Sequence, residues 1–432
     1  MILLNYLYFL IITYFGIKFL FTGGGMLKSP FDKNVKMRLN GPEMFWCLTF
    51  STGLLAFSAP GALDLMAIRL MVLEVLCFAG IFVAKDKPIW SLPLIIYAIY
   101  LLWIVIGCFY SPAPAYGIRV VLKYLYPLLL CLFASAAVRY AEVFLKSALL
   151  ARLVALISVI FAFVPLISHI IPGVIWEMTA RAINYISMMV LSLGLFYFSN
   201  EKKKNLIYAI IFILPCFIWV FRTSIVGSFI ALVIFFFFRY NIKALPIMFG
   251  TIVLCITLMF AIPSVRDKMF YNSEGKNTDM LYSGEIKQDD IDSNGRFAMW
   301  EWATDRFYDE HELTGVGTGN LQETFYALRH PFGTIRICHN DYVQILCDNG
   351  LLGVALYCGS FLFIIMHCFQ IYNQKRISNY IKLCAIVAAA SLAGVMFTSF
   401  TDNSVNYTMA TYSMPFGFYG MMLGMKKQAE LA

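Results

Sequence analysis

The chain has 432 residues, of which 60% are hydrophobic and only 13% charged, with a mean hydropathy of +0.74. That balance excludes an ordinary soluble domain, in which about 25% of residues are charged, and describes a polytopic membrane protein. The formal net charge of +8 does not point to nucleic acid, because Lys and Arg fall in short clusters between apolar runs, as at Lys202-Lys203-Lys204 and Lys375-Arg376.

Apolar runs long enough to cross a bilayer lie at roughly 1–21, 43–60, 64–83, 89–110, 118–138, 147–171, 182–199, 206–221, 223–238, 245–262, 351–369, 381–400 and 407–425. They predict an all-α polytopic membrane protein with about thirteen transmembrane helices, or twelve if 206–221 and 223–238 merge. The first run lacks the basic start and cleavage site of a secretory signal and is expected to be retained. Three regions follow: transmembrane helices over 1–262, a large extracytoplasmic, partly helical loop over 263–350, and transmembrane helices over 351–432. The 11 cysteines are scattered, and most, such as Cys47, Cys131 and Cys216, sit in apolar segments as polarizable filler. Cys338 and Cys347 would stand about 13 Å apart on one helix, too far to bridge.

Basic short loops set the orientation. Those at 28–38, 85–87, 139–146, 202–204, 239–243 and 375–382, with Lys426 and Lys427, share one side if the spans alternate, and that side is assigned to the cytoplasm with the C-terminus. The other side carries turns near Asp64, 111–119, 173–181, Arg222 and 402–406, and the loop of about eighty residues, too long for a mere connection.

Within the loop, 272–294 is polar, acidic and expected to be mobile. From Arg296, Phe297, Trp300, Thr304 and Phe307 recur at helical spacing, an amphipathic surface helix whose aromatics read as packing anchors. Gly315, Gly317 and Gly319 form a tight turn rather than a phosphate loop, since no Walker lysine or nucleotide fingerprint accompanies them. Asn320 and Glu323 resemble a capping box opening a helix through Arg329. The next helix begins at His339-Asn340-Asp341 and breaks at Asp348-Asn349-Gly350; its N-terminus is expected to offer free N–H groups to an anion.

Arg119, Arg181, Arg222, Arg296, Arg306, Arg329 and Arg336 lie on the side where short loops avoid them. Arg222, between two apolar helices, is the sharpest case, because burial there costs several kcal/mol unless a partner or wet cavity receives it. Guanidinium groups suit a diphosphate, binding oxygens in pairs without losing charge. His339 could hold a proton near neutral pH or simply cap a helix. A zinc site drawn from His311, His330, His339 and Cys338 lacks the paired spacings of such sites, so no metal or other cofactor is expected. His169 and His367 lie in spans as core residues.

Arg296 with Trp300, then Gly315-Val316-Gly317 and Gly319, then His339-Asn340, Tyr342 and Gln344, then Asp348 and Gly350-Leu351-Leu352-Gly353, resemble the signature of the O-antigen ligase/polymerase family. The likeness is specific over about 290–355 and architectural elsewhere. Two positions depart from the pattern: Asp348 stands where the family usually has Glu, and Phe221 where Ser often precedes the arginine. The resemblance implies a metal-independent, inverting glycosyltransferase of the bacterial inner membrane, working on the periplasmic face on glycans carried by undecaprenyl diphosphate. It implies Arg222 and Arg296 as diphosphate-binding residues and His339 as the group that takes or positions the acceptor proton. Asp341, Asp348 or Asp402 could be the base instead, and Arg181, Arg336 and Asn340 join them as further substrate-binding candidates.

Expected partners are the lipid-linked donor, a glycan acceptor that is either another lipid-linked repeat unit or lipid A core, the bilayer, and chain-length regulator and flippase proteins, with no nucleic acid. Polymerase is preferred, ligase to lipid A core is the alternative, and transfer to protein hydroxyls comes third. A transporter or lipid-glycan flippase would show internal repeats, and none is visible.

Overall fold

The computed structural model describes residues 2–32, 34–53, 65–163, 182–218, 221–263, 265 and 295–431. The acidic stretch 272–294, Asp64, His169 and Arg181 lie outside the described residues. The molecule is mostly helical. In chain order its helices are α1 (Ile2–Thr22), α2 (Gly41–Thr52), α3 (Leu65–Val83), α4 (Leu92–Tyr110), α5 (Pro114–Ala137), α6 (Ala141–Phe163), α7 (Ala182–Phe198), α8 (Lys202–Ile218), α9 (Arg222–Tyr240), α10 (Leu245–Ala261), α11 (Arg296–Phe307), α12 (Asn320–Tyr326), α13 (Asp341–Tyr372), α14 (Asn379–Thr398) and α15 (Ser413–Leu431). Each expected apolar run carries a helix in whole or part, and among the described residues six stretches are long and apolar enough to cross a membrane by length and composition.

Arg222–Ala261 forms one largely apolar stretch interrupted by the basic turn 239–243, and at 1.5 Å per residue it would be about twice the thickness of a hydrocarbon core as one helix. Asn241, at φ 50°, and the 3-10 turn Asn241–Ala244 break it, and α9 and α10 pack against each other as a hairpin. The break that separates α8 from α9 falls just before Arg222, so that arginine opens a helix rather than sitting within one.

Three local features depart from the sequence expectation. A two-stranded antiparallel hairpin, β1 (Gly25–Lys28) with β2 (Lys36–Leu39), interrupts the all-α pattern; Met37 and Leu39 alternate inward, and Asp32 accepts from Asn34 N in the turn. Helix α12 ends at Tyr326 instead of Arg329 and has Gly319 as its N-cap, with no cap from Asn320, because a carboxylate from another segment takes that role. The last run opens as a 3-10 turn, Ser404–Tyr407, and its α-helix begins only at Ser413.

Contacts sort the loops onto two faces. On one, Ser29 Oγ donates to Glu142, Phe31 packs on Tyr380, Arg139 reaches Asp86 and the Lys87 carbonyl, and Lys382 lies over Tyr372. These are four of the basic loops that the charge pattern grouped together. On the other face, the segment 295–349 meets the loop after α4 and the turn after α14. That segment has its own small core of Met299, Ala303, Phe307, Leu321, Phe325, Cys338 and Cys347, separate from the main helical core. Among the described residues every cysteine is a free thiol, and burial pushes the Cys338 thiol up, so it stays protonated.

Candidate active site

The turn following α14 is built from residues the chain cannot leave unpaired. After Thr398 the polar run 401–404 is largely shielded from solvent, so each group needs a partner inside the protein. Asn403, fully buried, uses both ends of its amide: Oδ1 accepts from His339 N at 2.7 Å, and Nδ2 donates to Asp341 Oδ1 at 3.0 Å and to Gln344 Oε1 at 3.1 Å. The second Asp341 oxygen accepts from Val405 N and Tyr412 OH, each at 3.1 Å, while Asp341 N donates to Ser399 O. The first residue of α13 thus pins both arms of the turn.

Residues picked out from sequence reach this turn or stand next to a residue that does. Arg296 Nη1 donates to Thr401 O, and Gly295, in the left-handed region at φ 73°, sets the start of α11. Trp300, one turn on, donates from Nε1 to Cys338 O at 2.9 Å and packs edge-on against Phe400, which fixes α11 to both flanks of the site. Arg222 opens α9, half-buried, and its neighbour Thr223 shares a hydrogen bond of 2.7 Å with Thr401. Helices α9 and α14 come close enough for this because Gly227 meets Gly394, where a Cβ on Gly227 would lie 3.1 Å from the Gly394 carbonyl oxygen.

His339 precedes α13 with φ 54°, a conformation uncommon for a side chain other than glycine, though histidine is enriched there. Its Nδ1 stands 3.3 Å from Asp402 Oδ1, and both side chains remain partly open to solvent. Such local strain persists only where surrounding bonds over-determine it; here the Asn403 bond to the His339 amide does so.

The N-terminus of α13 is not an anion site. Asn340 Oδ1 accepts from both Tyr342 N and Val343 N, and the Asp341 amide is bonded to Ser399, so the first donors are already paired. Asp348 is likewise occupied: buried at the far end of the same helical segment, it caps α12 by accepting from Gly319 N at 2.8 Å and Leu321 N at 2.9 Å. The glycine turn before α12 is clamped in place by Val316 N to Cys347 O, Gly317 N to Asp348 O, and the Asn349 amide to Thr318. Side chains at Gly315, Gly317 or Gly319 would strike the backbone of Asp348, Ser111 or Gly117, so these glycines permit close packing and hold no ligand loop.

Asn340, Asp341 and Asp348 therefore build the site's frame, whereas Asp402 faces it. Arg336 lies apart, exposed with its guanidinium 5.3 Å from the centre of the Tyr326 ring. Thr401 and Asn403 were not singled out from sequence, although an unbroken polar run, 401–404, between two apolar helices was the available signal. His330 is spent in the loop core, stacked on Phe325 and bonded to the Ile335 carbonyl, and His367 pairs with Tyr419. Among the described residues no group of three His, Cys, Asp or Glu side chains stands close enough to share a metal ion.

Residues 207–358 match the family model described as O-Antigen ligase. The matched span runs from within α8 to within α13, so it carries Arg222, Arg296 and His339 but ends before the turn that receives them. No curated protein matches the chain. The apolar helices are those of a multi-pass membrane protein, and the stretch 207–358 is similar to the O-antigen ligase family.

Proposed function

We propose, on the premise that the chain belongs to an O-antigen ligase/polymerase family, that it is an inverting glycosyltransferase that needs no metal. It would move a glycan from undecaprenyl diphosphate to an acceptor sugar hydroxyl. The observation that carries this reading is that Arg296, His339 and Thr223, the residue next to Arg222, all bond to residues 401–403, though Arg222 and His339 are 117 residues apart in sequence (339 − 222).

The donor brings its own leaving group, so the protein has to neutralise a departing diphosphate and orient a nucleophile. Arg222 and Arg296 take the first task, offering permanent positive charge and paired N–H groups to phosphate oxygens. His339 takes the second. With Nδ1–H directed at Asp402, its Nε2 is free to accept the proton from the acceptor hydroxyl as the oxygen bonds to the anomeric carbon and the carbon–phosphate oxygen bond breaks. Undecaprenyl diphosphate leaves with its electron pair, and attack from the opposite face inverts the sugar.

The basic-loop face is cytoplasmic in this reading, so the site faces the periplasm of an inner-membrane protein whose C-terminus is inside. Thirteen crossings require α8 and α9 to be separate spans. A polymerase, extending one lipid-linked repeat with another, is preferred over ligation to lipid A core. Deleting the gene and sizing surface glycan tests this: single capped units indicate a lost polymerase, long chains stranded on carrier lipid a lost ligase, and donor trapped on the cytoplasmic face a flippase.

A further inference from the structure

The same turn that holds His339 also forms one wall of a cavity of about 180 Å³. Its other walls come from the first turns of α3, from α5 and from α12. Residues 401 and 403 meet the arginine and histidine side of the turn, while Asn406 and Thr408 face the cavity. Asp402 and Asn406 are four residues apart, so their Cα atoms can be no more than about 14 Å from each other.

The lining, though mostly apolar, carries polar groups that a packing defect would lack. Thr408 is 2% exposed and its Oγ1 has no hydrogen-bond partner; Gln322 Oε1 is buried and also without one. An unpaired hydroxyl and an unpaired amide oxygen call for hydrogen-bond partners from whatever fills the space, the amide oxygen for a donor. Lys123 Nζ crosses part of the wall to Asn406 Oδ1 at 2.6 Å. The mouth carries two tyrosines in contact, Tyr116 and Tyr326, with ring centres 5.9 Å apart. Each bears a guanidinium: Arg119 stands 5.2 Å from the Tyr116 ring centre and Arg336 5.3 Å from that of Tyr326. Glu323, the carboxylate nearest in sequence on α12, is turned to Arg329 at 3.2 Å.

We propose that this cavity is a subsite for an acidic sugar, a single pyranose carrying a carboxylate, on the acceptor glycan. The assignment rests on the glycosyl-transfer reading above. Its hydroxyls would donate to Thr408 and Gln322, its apolar ring face would lie on a tyrosine, and its carboxylate would take the paired N–H groups of Arg119. A bare anion would leave the buried Gln322 oxygen without a donor, and a neutral sugar would leave the arginine-bearing rim unused.

Saturation-transfer NMR and calorimetry on the full-length protein in lipid nanodiscs test the assignment, with methyl glucuronide, methyl glucoside and inorganic pyrophosphate as probes. The glucuronide should bind at least about tenfold more tightly than the glucoside, and Arg119→Gln should remove that preference. Thr408→Val should weaken both sugars by about five- to tenfold. Arg222→Ala, made to disable the transfer site, should leave glucuronide binding as it is, so failure of the transferase reading and failure of this one are separable. Equal binding of the two sugars, no glucuronide binding by monodisperse wild-type protein, or pyrophosphate alone binding through Arg119 would each overturn it.

Discussion

His339 Nδ1 lies 3.3 Å from Asp402 Oδ1, and the adjacent residue, Asn403, accepts from the His339 amide at 2.7 Å. One dipeptide thus fixes both the backbone and the ring of the histidine. If the ring is the base, His339→Ala should lower turnover by about 10²–10⁴-fold with donor binding changed little. Asp402→Asn should cost less, because the amide can still accept from Nδ1–H. Single-turnover kinetics with a separate donor-binding measurement check both; a His339→Ala variant that loses only donor affinity would assign the residue to anchoring.

Arg222 opens α9 beside Thr223, whose hydroxyl is bonded to Thr401, while Arg296 reaches the Thr401 carbonyl from α11. Arg222→Ala should abolish glycan transfer with membrane abundance near wild type, because the residue sits at a helix start and not within the packed core. Arg222→Lys should recover only part of the activity, since an ammonium cannot grip two phosphate oxygens as a planar fork does. In vivo glycan sizing with quantified membrane protein checks this pair, and full activity in Arg222→Ala would remove the clamp.

Asp341 has a different expected phenotype. Removing its carboxylate leaves Val405 N without its acceptor in a dry environment and takes one bond each from Asn403 Nδ2, which keeps Gln344, and Tyr412 OH, which keeps Ser399 and Tyr357. An orphaned buried donor costs about 1–3 kcal/mol, so Asp341→Ala should lose abundance and thermal stability together with activity. Asp341→Asn should be milder. Fluorescence-detected size exclusion across a temperature series separates this from the His339 and Arg222 variants, which should elute and melt like wild type.

Gly350 interrupts α13 at φ 66°, and a Cβ there would come within 2.3 Å of the Leu313 carbonyl. The break lets Leu351 N and Leu352 N bond to Glu312 and Leu313, which ties the glycine turn to the helix. Gly350→Ala should reduce folded protein, and the same thermal series measures it. Gly359, in the same helix with open space around its Cα, is the control: Gly359→Ala should be neutral or slightly stabilising.

Much of this was legible in the chain. Apolar runs placed the helices, basic loops such as 28–38 and 139–146 were grouped on one face, and Arg296 to Phe307 announced its helix by period. Local rules failed where a distant segment supplied the partner. Asn320 and Glu323 have the spacing of a capping box, but Asp348 caps α12 from across the fold. The start of α13 looked open to an anion, yet Asn340 and Ser399 had filled it. Thr401 and Asn403 carry no motif of their own, because their role depends on which three helices meet them.

The central claim is that Arg222, Arg296 and His339 form one transfer site around residues 401–403. Its most direct test is transfer in proteoliposomes from a defined undecaprenyl-diphosphate-linked repeat unit, following lengthened glycan and released carrier together. Wild type should produce both in equal amounts. Arg222→Ala, Arg296→Ala and His339→Ala should each produce almost none, with the double variants no worse than the most damaged single, as expected of residues acting as a unit. Retained transfer in any two of the single variants, at wild-type protein levels, would contradict the account.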